Sequence, residues 1–238
     1  MSATEKILWV VNYADLAAFL QQAVDVGVTG VAIRTDNDVG AAIPVFHGKN
    51  MAVYGWRWPS TVPDHAMTEA RNAVGLIGKG LDGYFVDPEL HTGHSDDWNQ
   101  PGLAPLADSF CKTITDAKPG IVFGTTSHYR GKDVYPDIPW SVFFGYSTVL
   151  LPQAYWRSGT TPIGHGPTAN YTTALDCWTR TGGDRSKIVP MSGELTSVTG
   201  PEIDAYAAAA SAASVTRLHF YTYEGGVSDQ VWDAVRRA

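Results

Sequence analysis

Residues 81–89 read LDGYFVDPE, an apolar run of strand character that ends in two carboxylates, Asp87 and Glu89. In an extended chain alternate side chains share a face, so Phe85, Asp87 and Glu89 should point the same way. Pro88 lies between the two acids and has no N–H to donate, which is typical of a strand end. Two carboxylates at the exit of a buried strand repel each other, and the repulsion raises one pKa toward that of a general acid. The alternative is a helix N-cap followed by a solvated loop.

Seven other apolar runs of strand length flank this stretch, and helical patterns separate them. We predict strands at Lys6–Tyr13, Gly30–Thr35, Met51–Trp58, Leu81–Glu89, Ile121–Ser127, Val149–Trp156, Lys187–Leu195 and Val215–Glu224. The strands are apolar throughout, which is typical of a parallel sheet covered by helices. Eight strand–helix units predict an α/β fold, a single (β/α)8 TIM barrel over residues 1–238. A doubly wound open sheet fits less well, because no glycine-rich phosphate turn follows the first strand.

Capping residues predict where several helices begin. Asp64 is expected to cap the helix after the third strand. Thr199 and Glu202 match a capping box ahead of an alanine-rich helix, and Ser228 precedes the final helix.

The composition is that of an ordinary globular chain, with 238 residues, 44% hydrophobic and 17% charged. The net charge of −7 argues against nucleic acid or an anionic membrane surface as a partner. No cofactor motif stands out, and we expect no cofactor. Nothing in the sequence predicts the oligomeric state.

The first six residues are polar, and no apolar run is long enough to cross a bilayer. We therefore expect neither a signal peptide nor a transmembrane segment, which favours a cytoplasmic chain or one released by a non-classical or phage-associated route. Cys111 and Cys177 match no metal-ligand spacing. Two buried free thiols are the expected state, with a single disulfide as the alternative.

The active site of such a barrel lies at the C-terminal ends of its strands. The polar and aromatic residues at those ends are Asn12, Tyr13, Arg34, Trp56, Trp58, Asp87, Glu89, Ser127, His128, Gln153, Tyr155, Glu194, Tyr221, Tyr223 and Glu224. An ordinary solvent-exposed surface would include lysine, and this set contains none. Carboxylates, amides and aromatic rings are what a carbohydrate site needs, so we predict a glycan substrate.

The succession GVAIR at 30–34, MAVYGWRW at 51–58, a helix, and GYFVDPE at 83–89 resembles the glycoside hydrolase family 25 muramidases. The last stretch also resembles family 18 chitinases, whose fourth strand reads Asp-Gly-x-Asp-x-Asp-x-Glu. Asp82, Gly83, Asp87 and Glu89 match that motif, and Phe85 replaces its middle Asp.

Gln153-Ala154-Tyr155 resembles the Gln/Met-x-Tyr motif of family 18, with Trp156 where an Asp or Asn usually follows. Asn12 is the nearest polar group to the strand-one Asp of muramidases, and the third-strand Ser-x-Gly-Gly of chitinases is absent. The resemblance covers about the middle half of the chain and implies a glycosidase-type barrel that acts on peptidoglycan or a chitin-like polymer. The departures favour an alternative, a carbohydrate-binding or structural barrel without catalysis.

The resemblance implies roles for three residues, and the position of Glu194 at the end of strand seven permits a different mechanism. Glu89 would be the general acid, and Asp87 would orient a substrate N-acetyl group that acts as internal nucleophile. Tyr155 would hydrogen bond that acetamido group, unless it is a core aromatic. Alternatively, Glu194 would be the nucleophile of a retaining pair with Glu89, which requires carboxyl groups about 5–5.5 Å apart.

Eight further strand-end residues are expected to bind substrate: Asn12, Arg34, Trp56, Trp58, Gln153, Tyr221, Tyr223 and Glu224. For Arg34, a salt bridge to a neighbouring strand-end acid is an equal alternative. Residues 91–97, HTGHSDD, could supply metal ligands together with Glu89, as in a metal-dependent hydrolase. Their spacing matches no specific metal site, and a solvated loop is the favoured interpretation, so we predict no metal.

Overall fold

Parallel strands alternate with helices along the chain. This computed structural model describes residues 3–159 and 161–238. The strands are β1 Glu5–Val10, β2 Gly30–Arg34, β3 Ala52–Arg57, β4 Gly83–Val86, β5 Val122–His128, β6 Val149–Gln153, β7 Arg157–Ser158, β8 Thr161–Pro162 and β9 Arg217–Tyr223. The α-helices are α1 Leu16–Asp25, α2 Val39–His47, α3 Pro63–Gly78, α4 Ala104–Ala117, α5 Trp140–Tyr146, α6 Pro167–Thr181, α7 Gly200–Ala212 and α8 Asp229–Arg237. Strands β7 and β8 follow β6 in the chain and form a separate antiparallel pair.

The main sheet is parallel and has the order β6-β5-β4-β3-β2-β1-β9. Its two edges are joined by residues 187–195, which hydrogen bond to both. On one side Val189 N donates to Leu150 O at 2.8 Å, and on the other Ser192 N donates to His219 O at 2.9 Å. The sheet is therefore curled and closed, which confirms the predicted (β/α)8 barrel.

The prediction of a regular strand over Lys187–Leu195 is wrong. This segment contributes only isolated bridges, at Ile188, Met191 and Ser192. Pro190 lies in its middle and has no N–H to donate, so a continuous ladder cannot form there. The Pro190 carbonyl accepts a hydrogen bond from the Tyr206 hydroxyl at 2.9 Å instead.

Two apolar layers hold the barrel together. The outer layer packs the helices against the sheet and buries the larger part of the core. The inner layer fills the barrel with side chains that point inward from the strands: Ile7, Trp9, Ala32, Tyr54, Trp56, Phe85, Val149, Leu151, Val189 and Met191. The barrel interior is thus a packed core up to the level at which the strands end.

Two of the three predicted caps are confirmed. Thr199 and Glu202 form the capping box of α7, and Ser228 Oγ accepts from the N–H of Val231 at the start of α8. The Asp64 cap is wrong, because Pro63 is the first residue of α3 and Asp64 lies inside the first turn. Proline is favoured at that position because its missing N–H would have no partner there.

Cys111 and Cys177 are buried free thiols, as expected. In the described part of the chain, no helix combines the length and the apolar character that crossing a bilayer requires.

Candidate active site

A cavity of about 140 Å³ opens at the C-terminal ends of the strands. Its lining residues are Trp9, Trp56, Trp58, Asp87, Glu89, Thr126, Gln153, Tyr155, Met191, Glu194 and Tyr221. Eight of these were predicted from the sequence as catalytic or substrate-binding residues. The lining contains three carboxylates, and no lysine, arginine or histidine is among them.

Backbone contacts fix the two acids at the end of β4. Asp87 N donates to Arg57 O at 2.9 Å, which continues the pairing with β3 one residue beyond the strand. Pro88 O accepts from Ser127 Oγ at 2.6 Å, and Glu89 O accepts from Trp98 N at 2.8 Å. No helix begins at this point, so the N-cap interpretation of Asp87 is wrong. The alternation expected from the sequence is kept, since Phe85 points into the inner core and both acids line the cavity above it.

The environment of Asp87 disfavours its charged form. Only 3% of Asp87 is exposed, and burial raises its pKa well above the usual range, with a further contribution from the charge of Glu89. Hydrogen bonds from Trp58 and Gln153 act in the opposite direction, and Gln153 Nε2 lies 3.0 Å from Asp87 Oδ1. Burial also raises the pKa of Glu89, while a Gln153 hydrogen bond lowers it. Burial therefore contributes more than the mutual repulsion on which the sequence argument relied.

Tyr155 lies against Tyr221, with ring centroids 5.4 Å apart and planes 18° from parallel. Burial raises the pKa of Tyr155 well above its usual range, and the neighbouring Tyr221 and Asp87 add to the effect. The phenol therefore stays protonated and can donate a hydrogen bond into the cavity.

Glu194 lines the same cavity from the segment that closes the barrel. Its carboxylate accepts from Ser197 Oγ at 3.2 Å and from Gly159 N at 3.5 Å. These donors come from surface loops, so Glu194 is held by the rim of the cavity rather than by a strand.

Arg34 and Asn12 lie beside the cavity and do not line it. Arg34 donates to Asn12 Oδ1 at 3.0 Å and forms a salt bridge with Asp36 at 2.7 Å. The guanidinium also lies over the Trp58 ring, 5.7 Å from its centroid. The salt-bridge partner of Arg34 is thus an acid two residues further along its own segment, not an acid at the end of a neighbouring strand. Arg34 contacts a cavity residue through a cation–π interaction.

Tyr223 and Glu224 lie away from the cavity. The Tyr223 ring packs 4.7 Å from that of Phe19, on the helix side of the sheet. Glu224 accepts from Thr196 Oγ1 at 3.0 Å. The pairing of β1 with β9 shifts register between Leu8 and Val10. The extra β9 residue moves Tyr223 off the face that Tyr221 occupies.

Sequence reasoning missed Trp9, Thr126 and Met191 as lining residues. Trp9 forms the floor, where its Nε1 donates to Nδ1 of His219 at 3.0 Å. His219 is 1% exposed, and burial lowers its pKa to about 3, so it is a neutral acceptor. A tryptophan in the middle of an apolar strand gives no signal in the sequence to distinguish it from core filler.

Among the described residues, His91, His94 and Asp96 form a group that could hold a metal ion. Glu89, which the metal-dependent alternative would have included, is not part of it. The group lies on the loop after Glu89, at the rim of the cavity.

No protein-family model matches the chain, and no curated protein gives a significant match. Solved structures do match. The Bacillus cereus spore cortex-lytic enzyme SleL superposes with a TM-score of 0.70 at 9% identity, over 99% of this chain and 74% of that one. The family 18 chitinase of Cycas revoluta in complex with (GlcNAc)3 gives 0.67 at 9% identity, over 98% and 99%. A putative chitinase A from Streptomyces coelicolor gives 0.65 at 10% identity, over 100% and 99%.

This likeness establishes the fold. The barrel is built as in the family 18 chitinases and the cortex-lytic enzyme, at identities too low to carry an activity across. The matches agree with the predicted family 18 resemblance at the level of architecture. They do not show the family 25 resemblance, which stays a prediction.

Proposed function

We propose that this protein is a glycoside hydrolase acting on polymers that contain N-acetylated amino sugars, with Glu89 as the general acid. The observation that carries the proposal is the convergence of Asp87, Glu89, Gln153 and Tyr155 in one cavity at the strand ends of a family 18-like barrel. Chitin-like and peptidoglycan strands share this sugar chemistry.

In the proposed mechanism Glu89 donates its proton to the glycosidic oxygen as the bond to the anomeric carbon breaks. The carbonyl oxygen of the substrate's own acetamido group attacks the anomeric carbon, so no enzyme nucleophile is needed. Asp87 accepts a hydrogen bond from the acetamido N–H, and Tyr155 donates one to its carbonyl oxygen. Water then opens the resulting ring, and Glu89, now a carboxylate, takes the proton from that water.

The aromatic residues of the cavity suit a sugar ring. Trp58 packs edge-on against Trp56 with centroids 5.4 Å apart, and Tyr221 packs edge-on against Trp56 at 6.3 Å. Flat apolar rings next to amide and carboxylate groups bind both the faces and the hydroxyls of a sugar.

The decisive experiment compares the release of reducing ends by wild type and Glu89→Gln on chitin oligosaccharides and on peptidoglycan. The substitution removes the ionisable proton and keeps the shape, so activity should fall by about 10²–10⁴-fold. Asp116→Asn, a change of an exposed helix carboxylate, is the matched control and should keep full activity. Equal activity of wild type and Glu89→Gln would remove Glu89 from the mechanism.

Glu194→Gln separates the two possible mechanisms on the same substrates. If the acetamido group is the nucleophile, this variant keeps most of its activity. If Glu194 is the nucleophile of a retaining pair, the variant loses activity as severely as Glu89→Gln. Repeating the wild-type assay after chelation tests the metal-dependent alternative, which requires that activity is lost with the metal.

A carbohydrate-binding barrel without catalysis is the second candidate. It is favoured by Phe85, which stacks between Trp9 and Tyr54 at 5.2 and 5.0 Å where the family 18 motif has an Asp. Asp87 therefore has no carboxylate below it to share a proton with. This candidate predicts that (GlcNAc)3 binds, with quenching of tryptophan fluorescence, and that no product forms; turnover that Glu89→Gln abolishes would exclude it.

A further inference from the structure

The loop that follows Glu89 brings two imidazoles and a carboxylate together. His94 N donates to His91 O at 2.9 Å, and Gly93 takes the left-handed conformation, φ 83°, that this tight turn requires. The turn places the ring of His94 directly on that of His91, with centroids 3.7 Å apart and planes 12° from parallel. Asp96 closes the group, since its Oδ1 lies 2.9 Å from His91 Nδ1.

The ligand atoms are close enough to share one ion. One nitrogen or oxygen from each of His91, His94 and Asp96 lies within 4.8 Å of the other two. Nitrogen and oxygen ligands about 2.0–2.1 Å from a tetrahedral Zn²⁺ lie roughly 3.4 Å from one another. Small rotations of exposed side chains close the difference, because 52% of the His91 and 32% of the Asp96 side chain is open to solvent.

We propose that His91, His94 and Asp96 bind a divalent transition-metal ion of the Zn²⁺ class at the rim of the cavity. Two imidazoles with one carboxylate suit Zn²⁺, Co²⁺ and Ni²⁺, whereas Mg²⁺ and Ca²⁺ prefer oxygen ligands. Asp97 is not a ligand, since it is 5% exposed and its carboxylate accepts from Asn99 N at 3.0 Å. Three protein ligands leave at least one position of the ion for water.

The ion would link the middle of a loop whose two ends are already fixed. Trp98 N donates to Glu89 O at 2.8 Å, and Trp98 Nε1 donates to Pro59 O at 2.7 Å. Between these anchors, Glu89, Leu90 and His91 line one shallow pocket together with Trp58 and Asp96. A bound ion therefore stabilises the wall from which Glu89 projects. This site goes beyond the proposed hydrolase activity and does not rest on it.

The test is titration calorimetry of the chelator-stripped, tag-free full chain with ZnCl₂ at pH 7. We expect one saturable site per chain, and Co²⁺ should give the visible absorption of a site with nitrogen ligands. His94→Gln and Asp96→Asn each remove one ligand and should weaken Zn²⁺ binding at least about ten-fold. Mutation of residues that only hydrogen bond to a metal ligand already lowers metal affinity by about that factor. All three side chains are at the surface, so these variants should keep the fold.

His165→Gln is the matched control, because His165 is an exposed histidine outside the group. It should bind Zn²⁺ as wild type does. Thermal unfolding gives a second measurement: Zn²⁺ should raise the Tm of wild type and of His165→Gln, and leave that of His94→Gln unchanged. The proposal is overturned if wild type shows no saturable uptake below millimolar Zn²⁺, or if His94→Gln and Asp96→Asn bind as well as wild type.

Discussion

The barrel buries an ionisable group at its floor, beside Trp9, and another at its mouth, where Asp87 and Glu89 lie. The two buried groups differ in whether a neighbouring residue stabilises them. At the floor, His219 is neutral and accepts a hydrogen bond from Trp9. At the mouth, Asp87 is almost as deeply buried and lies next to a second carboxylate, Glu89. Burial is similar in the two places, so the difference lies in the partner.

The partner decides whether the buried group stabilises the fold or costs stability. A buried acceptor that receives a hydrogen bond loses little on leaving water, whereas a buried carboxylate beside a like charge loses much. A buried carboxylate that lowers stability in this way is typical of sites where activity requires it. The comparison therefore favours the mouth as the functional part of the barrel, and each prediction below tests one side of it.

Removing the floor should have the largest effect. Trp9→Ala deletes a ring that stacks on Phe85 at 5.2 Å, and we expect a loss of about 3–5 kcal/mol in the free energy of unfolding, measured by urea denaturation. Trp9→Phe keeps an aromatic ring, although a smaller one, and removes the donor to His219. That variant should cost about 1–3 kcal/mol, because it leaves a buried acceptor without a partner. No loss of stability in Trp9→Phe would show that the hydrogen bond to His219 contributes nothing.

The second prediction concerns His219 in acid. Burial lowers the pKa of His219 to about 3, whereas a histidine in the unfolded chain titrates near 6.5. Between these values the unfolded state holds a proton that the folded state lacks, so stability falls as the pH falls, by up to about 1.4 kcal/mol per pH unit.

His219→Asn keeps an acceptor for Trp9 and cannot be protonated. Its unfolding free energy should therefore depend less steeply on pH between about 6.5 and 4 than that of wild type. Urea denaturation at several pH values measures both slopes. Parallel slopes would mean that His219 is not the buried neutral group on which the comparison depends.

Much of the mouth follows from the sequence where the pattern is local. The apolar run that ends in Asp87 and Glu89 predicted both the strand and the face that the acids share. The same reasoning gave two wrong predictions, the strand over residues 187–195 and the position of Tyr223. Pro190 interrupts the closing segment, and the extra residue in β9 moves Tyr223 away from the face of Tyr221.

The rest of the site depends on three-dimensional closeness. Trp9 and Met191 are far apart in the sequence, and only the closed barrel shows that both reach the cavity. The stacking of His91 on His94 follows from a turn that their spacing does not specify. Such contacts between distant or loop residues carry no periodic signal in the sequence.

The third prediction is the opposite pH dependence at the mouth. Asp87 has its pKa raised by burial and by Glu89, so the folded state keeps a proton that the unfolded state loses above about pH 4. Wild type is therefore destabilised as the pH rises through that range. Asp87→Asn removes the ionisable carboxyl, and with it this loss of stability, and keeps an oxygen that can accept from Gln153. The variant should therefore have a higher free energy of unfolding than wild type at pH 8, and the difference should vanish toward pH 4. Hydrogen bonds from Gln153 and Trp58 to Asp87 offset part of the effect of burial.

Asp87→Asn should also reduce hydrolysis, since the amide cannot stabilise the charge that develops on the acetamido group. If Asp87→Asn is more stable and less active than wild type, Asp87 lowers the stability of the fold and is needed for hydrolysis. If Asp87→Asn is instead less stable than wild type at pH 8, Asp87 is stabilising and the contrast with the floor is wrong.

The smallest effect is expected for Tyr155→Phe, which removes one hydroxyl from the mouth. The ring still stacks on Tyr221, so the free energy of unfolding should change by less than about 1 kcal/mol. The lost hydrogen bond to the acetamido carbonyl should lower kcat about ten-fold, the equivalent of one ordinary hydrogen bond. Tyr171→Phe is the matched control, because Tyr171 is a buried tyrosine outside the cavity whose hydroxyl has no hydrogen-bond partner in the described part of the chain. It should leave kcat unchanged and be neutral or slightly stabilising, since it removes a buried polar group that has no partner. If Tyr155→Phe behaves like this control, Tyr155 is core filler, and the mouth differs from the floor only through its carboxylates.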